Sequence, residues 1–387
     1  MRRVRLQIPT LTLITLSLLG TAAHAFQDNA GRTSMPALDP GYMPSKVDPY
    51  TGNTSAPSNW RLTAGMAFNG VQGAFDGTAR LTFTPSTGGT YACSGSLIGG
   101  GAFILTAAHC ADDFTSMTIK FGLTNNVALA TRTGTQAWVH PSWTGALDTG
   151  ADIAIVKLSA PVTDLPSYKL STSNDVGKTF IMTGYGTSGN GTTSPNWGDS
   201  AYGHYAYNVF DTTSETFNQA WYNYSGEDNR VTTVGRTYVA DFDYHTATAT
   251  QAQQDQFNTL GRVAGLTGNL WNSGTALGAQ EGLIAGGDSG GGDFVWDGQE
   301  WVLSAVHSWG WNFCETRISS PSCDINASAG STFGDLMGST AVVDHVGWIN
   351  GVIAANVPEP SSYALMLGGL LGLGALARRR RDSNASR

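Results

Sequence analysis

Phe103-Ile104-Leu105-Thr106-Ala107-Ala108-His109-Cys110 decides how the rest of the chain is read. Three bulky apolar residues predict a buried strand, and the small residues after them allow a tight turn. The turn delivers an imidazole beside a cysteine able to tether it. A histidine held this way is fixed yet near the surface, as a general base for a serine hydroxyl must be.

Working outward, two further segments supply complementary chemistry. Asp152-Ile153-Ala154-Ile155-Val156-Lys157-Leu158 places an acid at the head of an apolar strand. A partly buried carboxylate needs a donor, and an imidazole N–H satisfies it while fixing the histidine tautomer. Asp148 is the rival acid, but it sits in a Gly-rich loop, so Asp152 is preferred. Gly286-Gly287-Asp288-Ser289-Gly290-Gly291 surrounds a serine with glycines, which lets the N–H groups of Gly287 and Ser289 turn toward one point. Two such donors beside a nucleophile form an oxyanion hole.

The chain around these segments reads as β. Its 387 residues are 41% hydrophobic and only 13% charged, with 49 glycines, a balance that excludes a coiled coil or a charged disordered protein. Short runs recur at 79–83, 96–105, 118–121, 137–139, 153–158, 179–183 and 301–306, between Gly, Asn, Ser and Thr clusters, as in barrels or sandwiches. Val342, Val346, Ile349 and Ile353 fall at helical spacing and predict a helix over 341–355. Residues 187–280, dense in Asn, Thr, Tyr and Gly, read as elaborated loops, with Asp241 and Asp243 as solvated loop acids rather than calcium ligands.

The two ends carry different information. Residues 1–25 have a basic start, an apolar stretch from Leu11 to Leu19, and Ala23 and Ala25 around His24, the pattern of a secretory signal peptide. Residues 26–61 are rich in Pro, Ser, Gly, Asp and Asn and read as a linker or pro-segment. At the other end, 356–387, Val357-Pro358-Glu359-Pro360 precedes an apolar run from Tyr363 to Ala377 and four arginines. That run reaches roughly 22 Å, marginal against a bilayer core of about 30 Å, and the arginines would stay on the cytoplasmic side. The segment resembles the PEP-CTERM sorting signal of Gram-negative bacteria, which implies an exosortase as processing partner and only transient residence in the inner membrane. A plain tail anchor is the alternative.

Eight of the 21 basic residues lie near the ends but only two of the 29 acids, so the body carries a charge of about −14. Such a surface repels phosphate backbones and argues against nucleic-acid binding. Four cysteines in an exported chain read as two disulfides; proximity suggests Cys93 with Cys110 and Cys314 with Cys323, though three connectivities are possible. No CxxC pair exists and no His stands at ligand spacing from these cysteines, so neither a metal site nor a cofactor is expected.

With His109, Asp152 and Ser289 in that order, residues 62–355 resemble a chymotrypsin-like (trypsin-like) serine protease. The resemblance implies an all-β fold of two Greek-key β-barrels packed together with a C-terminal helix, and a catalytic triad of those three residues. The interval of 137 residues from Asp152 to Ser289 is long for the family and places an insertion within 187–280. Gly184-Tyr185-Gly186 is similar to the family's Gly-Trp-Gly turn and Ser308-Trp309-Gly310 to its Ser-Trp-Gly strand. These matches imply that Ser308 supports Asp152, while Trp309 and Gly310 lie along the substrate cleft. Leu283 falls at the pocket floor, where an apolar residue favours apolar or aromatic substrate side chains. Ala285 stands where a pocket cysteine is usual, which turns Cys314 toward Cys323, and Gly292 replaces a frequent proline. By the same resemblance, cleavage between Arg61 and Leu62 would free an ammonium to pair with Asp288, as in a zymogen.

The expected function is an exported endopeptidase acting on peptide or protein substrates through an acyl-enzyme, then displayed at the cell surface or in extracellular matrix. The alternatives are an esterase using the same triad, and a non-catalytic matrix or binding protein on a protease scaffold.

Overall fold

Alternating burial along short strands builds the first half of the molecule. The computed structural model describes residues 33–34 and 56–356, apart from 247, 270, 272–273, 275–276, 319 and 327–329. Strands β1 (Thr33–Ser34) and β2 (Arg61–Leu62) and a hairpin of β3 (Ala67–Phe68) with β4 (Val71–Gln72) come first. Six strands follow: β5 (Thr78–Pro85), β6 (Tyr91–Ile98), β7 (Phe103–Thr106), β8 (Phe114–Phe121), β9 (Ala130–Val139) and β10 (Ala154–Leu158). They close into a barrel in the order β10-β7-β6-β5-β8-β9. β5, β6 and β7 run as a meander and β8 returns beside β5, which is a Greek key. Leu81, Leu97, Ile104, Ile119 and Ile155 are fully buried in one cluster.

The run at 96–105 is two strands rather than one. Gly99, Gly100 and Gly101 all take positive φ and break it with a 3-10 turn. At Gly101 a Cβ would stand 2.0 Å from the carbonyl oxygen of Val162, so no larger residue fits.

The second half is a sheet of β11 (Thr179–Gly184), β12 (Gly203–Val209), β13 (Thr212–Thr213), β14 (Thr237–Asp241), β15 (Gly292–Trp296), β16 (Trp301–Trp311) and β17 (Leu336–Ala341). Its order is β13-β14-β17-β16-β15-β11-β12-β2, with β1 also paired to β16. The meander β15-β16-β17 with β14 beside β17 repeats the Greek key. The predicted terminal helix is a 3-10 turn at Val342–Asp344 followed by a helix at Val346–Asn356, whose Ile349 packs into the first core. The all-β architecture with a closing helix is thus the one observed.

The insertion within 187–280 is not merely loops. Besides strands it holds α1 (Ser214–Ser225), α2 (Gln251–Phe257) and α3 (Thr259–Thr267). Thr213 caps α1 by accepting the N–H of Thr216, and Gly226 ends it in the left-handed region. Phe217 and Trp221, one turn apart, meet Phe313 with ring centroids 5.1 and 4.8 Å away. These aromatics, with Val263, Trp309 and Trp311, form a separate core. Burying Phe217 contributes about 2–3 kcal/mol and ties the insertion to the end of β16. Asp241 and Asp243 are not solvated either, since both are buried. Asp241 Oδ2 accepts the N–H of Leu260 at the start of α3, and Glu281 accepts the N–H of Asp243. Burial pushes the Asp241 carboxyl up to about 6.

Cys93 is joined to Cys110 and Cys314 to Cys323. Among the described residues no helix is long and apolar enough to cross a membrane. The signal peptide expected at 1–25, most of the expected linker, and the expected sorting segment from 357 onward lie outside the described residues.

Candidate active site

β7 ends at Thr106, and a 3-10 turn over Ala108–Cys110 presents His109 while Cys110 is tied back to Cys93 on β6. Asp152 stands just before β10, which is paired with β7, so strand register brings acid and base together. His109 Nδ1 lies 2.8 Å from Asp152 Oδ2, and the backbone N–H of His109 donates to Asp152 Oδ1 at 3.0 Å. Ser308 on β16 donates its hydroxyl to the same Oδ2 at 2.6 Å. Three donors compensate a carboxylate that is 1% exposed. A proton on Nδ1 facing Asp152 leaves the lone pair on Nε2. Burial works against the imidazolium, but the Asp152 carboxylate outweighs it and holds the His109 pKa above 6.5. Asp148 takes no part: it has φ of 68° and accepts from the amide of Asn218.

The loop Gly286–Gly291 is fastened to this turn. The N–H of Ser94 donates to the carbonyl of Ser289 at 2.8 Å, and the hydroxyl of Ser94 donates to the carbonyl of Gly287 at 3.0 Å. The sulfur of Cys110 lies 3.6 Å from the Ser289 carbonyl oxygen. At Gly290, with φ of 79°, a Cβ would be 2.0 Å from Thr106 Oγ1 and 2.8 Å from the nitrogen of Ala107. Only glycine lets the serine loop pack so near the turn that carries His109. Within the loop, Asp288 N–H bonds Ala285, Gly290 N–H bonds His307, and Gly291 N–H bonds Asp288. The Asp288 carboxylate accepts from Gly186 and Ala285. Burial raises its pKa, and His307 acts in the opposite direction.

Sequence reasoning missed His307 with Asp293. His307 Nε2 lies 2.8 Å from Asp293 Oδ1 and Nδ1 lies 3.0 Å from the carbonyl oxygen of Asp288, with both side chains buried. A ring facing an acceptor on each side can donate from both nitrogens only as an imidazolium. Asp293 and Asp288 hold its pKa above 6.5 although burial opposes the charge. A polar residue ending the apolar run Trp301–Val306 was the available signal.

Along the expected cleft, Trp309 is buried and Gly310 sits in β16 opposite Met337. Leu283 is fully buried in a cluster that includes Ile284, Phe333 and Met337. Arg61 lies in β2, paired with His204 on β12, and its guanidinium donates to Asp199, which also meets His204 at 3.0 Å. Cys93, His109 and Cys110 cluster, but both sulfurs are spent in the disulfide and offer no thiolate to a metal.

Comparison with known proteins gives two family matches. Residues 68–230 match the trypsin family and residues 356–381 match the PEP-CTERM protein-sorting motif. The first match stops before Ser289. No curated protein matches the chain. A solved structure titled "HL collagenase structure at 1.7 Å resolution" is similar at 19% identity over 78% of this chain and 98% of that chain, with a TM-score of 0.47.

Proposed function

We propose that this chain, which carries a trypsin-family domain at residues 68–230 and a PEP-CTERM sorting motif at 356–381, is an exported serine endopeptidase. The observation that carries the reading is the bonded series Ser308–Asp152–His109, with the Ser289 loop pinned one residue from the same turn. In it Ser289 Oγ attacks a peptide carbonyl and His109 Nε2 takes the proton. The N–H groups of Gly287 and Ser289 stabilise the oxyanion as the tetrahedral intermediate forms. His109 then returns the proton to the leaving amine, giving an acyl-enzyme that water hydrolyses by the reverse roles. Asp152 stays ionised, orients the ring and stabilises the imidazolium.

The PEP-CTERM motif indicates export and sorting in a Gram-negative bacterium and implies processing by an exosortase. We place the mature domain, after transient anchoring in the inner membrane, at the cell surface or in extracellular matrix. Leu283 at the pocket floor supports a preference for apolar side chains on the acyl side. Two backbone N–H groups donate to Asp288, and a cut between Arg61 and Leu62 would add a third donor, the new ammonium, as in a zymogen. N-terminal sequencing of active protein would reveal such a cut as a terminus at Leu62.

Labelling with a fluorophosphonate tests the proposal. Stoichiometric modification that vanishes in Ser289→Ala is expected, together with casein cleavage. A folded protein that does not react would favour a non-catalytic matrix role, and turnover of short esters without casein cleavage would favour an esterase.

A further inference from the structure

β1 lies far ahead of the folded domain in sequence, yet it pairs with the strand that supports the acid of the relay. Thr33 is opposite Gly310 and Ser34 opposite Trp309, antiparallel on β16. As the segment advances from 33 to 34 its partner steps from Gly310 to Trp309, so the chain runs toward Ser308, whose hydroxyl holds Asp152. Independently, Ser289 is 1% exposed, and His109 Nε2 is shut off from solvent with no hydrogen-bond partner among the described residues. A base and nucleophile closed to water are also closed to a substrate.

We propose that Thr33–Ser34 occupies the peptide-binding edge of β16 in the intact chain and inhibits, in cis, the site assigned above. The inference rests on the endopeptidase reading. An extended peptide added to a sheet edge is held by main-chain hydrogen bonds, whatever its side chains. Two residues alone would bind weakly in trans. Joined covalently to the domain by the intervening chain, they need not be captured from bulk solution as a free peptide must be. Cutting that tether, or losing the segment, dilutes the occupant and opens the edge to other peptides.

The test compares the exported chain with a Thr33→Pro/Ser34→Pro variant, which removes both backbone donors of β1 and leaves the domain unaltered. Fluorophosphonate labelling of Ser289 is expected to be about ten- to thirty-fold faster in the variant, as two backbone bonds of ordinary net strength imply. A synthetic peptide spanning residues 29–38 is expected to slow the variant competitively. Hydrogen exchange of whichever of the Trp309 and Gly310 amides faces β1 is expected to quicken. Equal, measurable labelling rates in the two proteins overturn the inhibition and leave the endopeptidase standing. Unchanged exchange at 309–310 overturns the docking whatever the activity. No labelling in either folded form overturns the endopeptidase reading and, with it, the inhibition.

Discussion

Ser308 and Asp152, 156 residues apart, share a 2.6 Å hydrogen bond that joins the second sheet to the first barrel at the point where the base is oriented. Removing it leaves a buried carboxylate oxygen with one donor fewer. Ser308→Ala is expected to lower kcat about ten- to a hundred-fold with little change in KM, and Ser308→Thr to retain more activity. Steady-state kinetics on a peptide substrate check this; a change confined to KM would show that Ser308 serves binding instead.

On the endopeptidase reading, the acid limb of activity reports His109. Asp152 holds that imidazole's pKa above 6.5 against the effect of burial, so activity rises with pH through a midpoint above 6.5. Asp152→Asn is expected to cut kcat by about 10⁴ and to move the midpoint down. The pH profiles of both proteins decide it, and an unshifted midpoint in the variant removes Asp152 from its role.

His307 gives the opposite dependence in stability. Its folded pKa is raised, so the stabilisation is fully present below about pH 6.5 and is lost as pH climbs through the folded value. His307→Gln leaves Asp293 buried without its cation and is expected to cost about 3–5 kcal/mol at pH 6. The difference from the parent should shrink at pH 9. Urea unfolding at both pH values measures it, and a pH-independent difference would contradict a charged His307.

His345 limits the acid side. Burial, reinforced by the His140 ring 4.7 Å away, lowers its pKa to about 4. A buried neutral histidine contributes stability above the unfolded value of about 6.5 and loses it as pH falls toward 4, a change of about 3 kcal/mol. His345→Gln should flatten the stability curve between pH 6.5 and 4. Thermal melts across that interval test the assignment, and an equally steep decline in the variant would discard it.

The pairing of His109 with Asp152 was legible in sequence because one follows the end of an apolar strand and the other precedes the head of one, where local pattern and chemistry coincide. Asp152 was separable from Asp148 by adjacency to Ile153-Ala154-Ile155 alone. The insertion was harder to read. Thr213 and Gly226 mark the ends of α1, but Asn and Tyr within it resemble loop composition, and the partner that Phe217 and Trp221 need, Phe313, is 96 and 92 residues away. Asp241 looked like a solvated acid because nothing local announces that its carboxylate will cap a helix beginning at Thr259. His307 escaped for the same reason, its anion lying on the neighbouring strand.

The bridge from Cys93 to Cys110 spans only 17 residues yet braces the turn that bears the base. Thiols stay reduced in the cytoplasm, where that brace is open. A newly made chain therefore crosses its own cell with His109 unclamped, and oxidation outside the cytoplasm fixes the turn. On the endopeptidase reading, the crosslink ties the timing of assembly to compartment and so spares the proteins of the producing cell.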